Sequence, residues 1–162
     1  MMNISGIISG AFRCSYIYLI SYGKYIYIGE TGNHPVLRWG AHLSKNGSFI
    51  NKLDRSNESL LTDDDIFFIS VRCSEIECES IYKRKIARRA IEAELHRKYL
   101  LNPGVFGHES TLISNPPGDP VRHNFSFDPS DMAKKIYQNI SDSYVDWLKN
   151  DCYNSEIRSS MD

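Results

Sequence analysis

Five polar side chains have the types and spacing to handle a phosphodiester. Tyr18 closes the run Tyr16-Ile17-Tyr18, and Tyr27 opens Tyr27-Ile28-Gly29. Arg38 and His42 follow, four residues apart, and Glu92 lies far downstream in a strongly basic stretch. Cutting a phosphodiester needs a deprotonated water, charge stabilisation on the phosphoryl oxygens and a stabilised leaving group. A guanidinium fork matches phosphate geometry and stays charged. An imidazole moves protons near neutral pH. A phenol, with an ordinary pKa near ~10, serves as a base only beside positive charge. Each residue type also has a plainer use: solvated arginine, partly buried histidine, tyrosine packed in a sheet.

The elements that must position these residues are readable in outline. Residues 16–21 and 25–30 are short, apolar and rich in Ile and Tyr, which is strand composition. The break at Gly23 makes them an antiparallel hairpin. Alternation puts Tyr16, Tyr18 and Ile20 on one face, Ile17 and Leu19 on the other, and Tyr25, Tyr27 and Gly29 together on the second strand. Pro35 fits the first turn of a helix over 35–45. On it Val36, Trp39 and Leu43 form one stripe, Arg38 and His42 another, and Asn46-Gly47 ends it. Residues 51–64 read as polar and irregular. A third strand covers 66–73. A helix over 80–100 carries an apolar stripe of Ala87, Ile91 and Leu95 in an otherwise basic sequence. The 102–129 stretch holds five of the six prolines and reads as a long loop. A last helix spans 130–150, and the final dozen residues read as frayed.

The expected fold class is therefore α/β, of the α+β kind: a small central antiparallel sheet of three or more strands flanked by helices. Residues 1–102 form the core, and 103–162 a loop and helical extension packed on the same domain. The chain has 162 residues, 41% of them hydrophobic, and a formal net charge of -1. Overall charge thus announces no nucleic-acid partner, and any such face must come from distribution, with the basic 83–98 segment the leading candidate. The partly apolar stretch 4–20 is broken by Arg13 and has no basic region before it, so no membrane or leader segment is expected. Cys14, Cys73, Cys78 and Cys152 make no paired framework, which suits reduced thiols and a cytoplasmic location. A zinc site from Cys73, Cys78 and His96 lacks the tight ligand pairs zinc usually takes.

The combination of Ile17-Tyr18, Tyr27-Ile28-Gly29, Arg38, His42 and a downstream Glu resembles the GIY-YIG nuclease superfamily over residues 14 to 102. Tyr16 stands where the signature has its first Gly. The resemblance implies metal-dependent hydrolysis of DNA with one divalent cation, Mg²⁺ or alternatively Mn²⁺, held by a helical Glu. Ile91 before Glu92 and Leu95 after it match the family pattern better than the neighbours of Glu94, which remains the alternative ligand. By the same resemblance Tyr18 is the general base, Tyr27 positions, Arg38 binds phosphate and His42 orients a phenol or takes its proton. Gly29, Asn51, Lys52, Arg88 and Arg89 are the candidates for DNA contact. A stand-alone restriction- or phage-type endonuclease is the expected subclass, with room for a homodimer. The competing expectations are a catalytically inactive nucleic-acid-binding domain on this scaffold and a protein-interaction module with a merely solvated basic helix.

Overall fold

The computed structural model describes residues 10–55, 66–118 and 123–159, with side chains through 149. Strands β1 (Tyr16–Tyr22) and β2 (Tyr25–Thr31) pair antiparallel in the register Tyr18↔Gly29 and Ile20↔Tyr27. Gly23, at φ 51°, takes the left-handed conformation a tight hairpin turn needs. Strand β3 (Ile66–Arg72) pairs antiparallel on the other side of β1. The two-residue β4 (Thr111–Leu112) adds to β2 in parallel, so the sheet is mixed, in the order β3-β1-β2-β4. The three central strands are antiparallel as expected, and the short parallel β4 is an addition at the edge. The fourth strand comes from the supposed 102–129 loop and is too short to leave a periodic signal.

Every residue of the central β1 is buried, because helices cover both faces of the sheet. One face carries Ile17, Leu19, Ile26 and Ile28 against helix α3 (Ile81–Leu101) and helix α4 (Pro129–Ser159). Ala87, Ile91 and Leu95 of α3 and Met132, Ala133, Ile136 and Ile140 of α4 fill that layer. The other face carries Tyr18, Ile20, Tyr22 and Tyr25 against α1 (Pro35–Leu43) and α2 (Ser48–Arg55). At about 25 cal/mol per Å² of apolar area buried, these two layers supply most of the driving force for the fold.

Helix α2 corrects the reading of 51–64 as irregular through Arg55, and residues 56–65 lie outside the described residues. Its fully buried side is Phe49 and Leu53, four residues apart, with Ile50 packed partly against them, so the short apolar pattern is lost in a polar stretch. The final helix runs on to Ser159, past the expected end at Asn150. The apolar stretch from residue 4 begins outside the described residues. Among the described residues, no helix is long and apolar enough to cross a membrane. Cys14, Cys73 and Cys78 are free thiols, and the side chain of Cys152 lies outside the description.

Candidate active site

The strand register alone brings two of the singled-out tyrosines together. Tyr18 and Tyr27 sit on adjacent strands and the same face, their rings nearly parallel with centroids 6.4 Å apart. Helix α1 lays His42 against both, 4.6 Å from the Tyr27 ring centre. The Tyr18 hydroxyl is 2.6 Å from His42 Nε2. His42 Nδ1 is in turn 2.6 Å from the Ser48 hydroxyl, at the first position of α2. A continuous hydrogen-bonded chain thus runs from Tyr18 through His42 to Ser48. Ser48 was not among the residues singled out. Its only signal was its place just after Asn46-Gly47, where a side-chain oxygen often partners a nearby group.

Two glycines make this approach feasible. A Cβ on Gly29 would collide with the Tyr18 hydroxyl and ring. The room that Gly29, a candidate for DNA contact, leaves above the strand is occupied by the Tyr18 phenol. At Gly47 a Cβ would collide with the backbone carbonyls of Ala41 and His42, so the sharp passage from α1 to α2 excludes any side chain.

Electrostatics hold the resting site neutral at the tyrosine and the histidine. Burial, then the neighbouring Tyr27, raises the Tyr18 pKa, while Arg38 acts against both by charge and hydrogen bonding. His42 is pushed down to about 4, by burial first and then by the positive charges of Arg38 and Lys52. It is a neutral imidazole near pH 7, with one N–H to donate. Burial pulls the Arg38 guanidinium down, but Tyr18, Tyr27 and Glu30 outweigh it and the net shift is upward. Arg38 therefore stays cationic, one helical turn before His42.

The two carboxylate candidates separate clearly. Two residues apart on a helix is about 200° of rotation, so they face opposite ways. Glu94 pairs with Arg97 at 2.5 Å. Glu92 forms no hydrogen bond or ion pair with the described residues, yet it acts electrostatically on Tyr18 and feels Arg38. Burial first, then the charge of Glu30, raises its carboxyl to about 8, against the pull of Arg89 and Arg38. Glu30 was not among the residues singled out either. It lies next to Gly29 on β2, on the opposite face of the strand, and takes Arg88 Nε at 2.5 Å.

The remaining candidates lie as follows. Lys52 donates to the Ile113 carbonyl at 2.6 Å and stands 5.3 Å from the Tyr27 ring centre, which ties the chain after β4 to the tyrosine pair. Asn51 is exposed and donates to the Asn46 carbonyl at 3.1 Å. Arg88 is held by Glu30 and Ser15, with its side chain only 12% exposed. Arg89 is exposed. Tyr18, Tyr27, Arg38, His42 and Glu92 are thus gathered around one region, Arg89 reaches it through its charge on Glu92, and Glu94 is turned away toward Arg97.

Among the described residues, no three His, Cys, Asp or Glu groups converge as a metal cage, and Cys73, Cys78 and His96 do not form one. The donor set suits a different kind of ion. Mg²⁺ typically takes one or two carboxylates and keeps waters and phosphate oxygens elsewhere. Glu92 forms no ion pair among the described residues, and burial, then a second carboxylate, raises its carboxyl to about 8. That is the state a divalent ion would reverse, so the residues fit one.

Architecture and site together define a class: an α+β domain whose polar groups are of the phosphate-handling kind. The GIY-YIG catalytic domain family matches residues 14–103, more than half of the chain, and the chain belongs to that family of nucleases. No curated protein and no solved structure matches it.

Proposed function

We propose that the protein is a metal-dependent endonuclease that hydrolyses DNA phosphodiester bonds, with chemistry carried by residues 1–102 and the 103–162 extension completing the core. The observation that carries the proposal is the 2.6 Å contact between the Tyr18 hydroxyl and His42 Nε2, backed by Ser48. If His42 Nδ1–H donates to Ser48, Nε2 is left free to accept the Tyr18 proton. Tyr18 then takes a proton from the attacking water as its own passes to His42. Both the raised phenol and the lowered imidazole oppose this transfer in the resting site, so it must be coupled to substrate binding. Arg38 binds the phosphoryl oxygens and stabilises the charge that develops on them. Tyr27, stacked beside Tyr18 and held by Lys52, keeps the phenol in place. A divalent cation on Glu92 would neutralise phosphate charge and favour ionisation of nearby water.

The test is cleavage of supercoiled plasmid with Mg²⁺, with Mn²⁺ and with chelator, beside Glu92→Gln and Glu94→Gln. The expected outcome is metal-dependent cutting that Glu92→Gln abolishes and Glu94→Gln leaves within a factor of about two, a surface ion pair being worth little. Cutting that survives Glu92→Gln would remove this metal ligand from the proposal. Salt-dependent DNA binding with no turnover under any metal would replace it with an inactive binding domain.

A further inference from the structure

A second, strongly basic cleft lies outside the tyrosine cluster. It encloses about 310 Å³ between the residues just before β1, the loop after β2 and the start of α3. Arg13, Arg84, Lys85 and Arg88 line it, against the single carboxylate of Glu77. Resting on the nuclease reading above, we propose that this cleft binds a backbone phosphate of the DNA strand at a distance from the scissile bond.

Two of the four cations are fixed in place. Arg84 donates from Nη1 to Glu77 Oε2 at 2.6 Å, from Nη2 to the Glu77 carbonyl at 2.8 Å and from Nε to the Glu79 carbonyl at 3.1 Å. Arg88 donates from Nε to Glu30 at 2.5 Å and from Nη1 to Ser15 Oγ at 3.3 Å. A guanidinium has five N–H donors, so both retain donors for an anion. Gly32 leaves room for the Arg88 head, since a Cβ there would press on it at 3.1 Å. Arg13 and Lys85 are exposed, and neither has an ion-pair partner among the described residues. Merely solvated cations would spread apart to reduce repulsion. Here two are oriented by carboxylates and carbonyls around a concavity, and two are left uncompensated at its edge. An anion relieves that repulsion, and a guanidinium held in this way loses little freedom on binding one.

The position also suits a strand already engaged at the catalytic residues. Arg84, Arg88 and Glu92 lie at successive intervals of four along one side of α3. At a rise of about 1.5 Å per residue, Arg84 is about 12 Å from Glu92 along the axis. At about 3.4 Å per nucleotide on one strand of a duplex, that is a phosphate about three to four nucleotides away. The Arg88–Glu30 pair lies between, and its carboxylate also acts on Glu92 and Arg38.

The experiment compares the unaltered chain with the double variant Arg13→Gln/Lys85→Gln, which touches no ion pair in the described structure. Binding to a fluorescent DNA duplex is measured in chelator from about 50 to 200 mM salt, and plasmid cutting is measured in parallel. Losing one phosphate from the contact should lower the slope of log K against log salt by about one, so that the unaltered chain loses about three- to four-fold more affinity over this range than the variant. Thermal midpoints of the two proteins should agree. An unchanged slope in a variant whose parent binds and cuts DNA would overturn the cleft alone. Failure of the parent to bind DNA at all would overturn the nuclease reading and the cleft with it. A third arm adds inorganic phosphate. Tight phosphate binding that depends on Arg13 and Lys85, with no change in DNA slope, would overturn the proposal in favour of a free-anion site.

Discussion

Glu92→Gln should stabilise the cation-free protein at alkaline pH and leave it unchanged in acid. The folded carboxyl is raised to about 8 from an ordinary 4.5, by burial first and by Glu30 second. A pKa raised in the folded state means that stability is complete below about 4.5 and is lost as pH rises through about 8. Moving the group that far is worth on the order of 5 kcal/mol, at about 1.4 kcal/mol for each tenfold change. Water reaches the half-buried carboxylate and screens part of this, leaving about 2–3 kcal/mol. Glutamine is nearly the same shape as the protonated acid and never ionises. Urea denaturation in chelator is the assay, at pH 5 and pH 9, with the difference between the two proteins cancelling every other titration. At pH 5, just above the unfolded pKa, the variant should lead by less than about 1 kcal/mol, and at pH 9 it should be more stable by the full amount. Mg²⁺ at ten times its dissociation constant should then return about 1.4 kcal/mol to the unaltered protein and nothing to the variant. A difference that is the same at both pH values would refute the reasoning, as would an unaltered protein favoured at pH 9 in chelator.

Metal binding at pH 7 should release close to one proton, because Glu92 must ionise to bind; calorimetry in buffers of different ionisation enthalpy reads this, and Glu92→Gln should abolish it. Gly29→Ala puts a methyl where the Tyr18 ring lies, so it should cost about 1–3 kcal/mol of stability and lower kcat by at least about tenfold; an unchanged kcat would mean that the Tyr18–His42 contact is idle. Ser48→Ala removes the partner of His42 Nδ1 and should lower kcat about tenfold with little change in KM. It should also displace the pH–rate profile, which a purely structural serine would not do.

Local pattern carried much of this arrangement. The alternation in β1 and β2 is strict enough that the facing of Tyr18 and Tyr27 follows from residue order alone. The 87, 91, 95 stripe fixes which side of α3 is buried, and with it the opposite facing of positions 92 and 94. The resemblance supplied the link between these distant segments. What escaped were pairings across the chain that leave no local trace. Ser48 looks like any polar residue after a turn, and β4 has two residues and no period. Glu30 reads as the polar end of a strand until β2 is laid against α3.

That last contact changes the meaning of charge along α3. Counted in sequence, the helix offers a run of cations for nucleic acid. In the fold, Arg84 is committed to Glu77 and Arg88 to Glu30, and the glutamates neutralise the charge while fixing the direction of each guanidinium. Of the cations lining the cleft, those without an ion pair among the described residues are instead Lys85, on the next row of the helix, and Arg13, which is not on the helix at all. A basic stretch therefore gives the amount of charge but not its direction. Direction is set by which carboxylates the tertiary structure brings within reach, and this explains how a chain of net charge -1 can present a concentrated positive cleft on the same helix as Glu92.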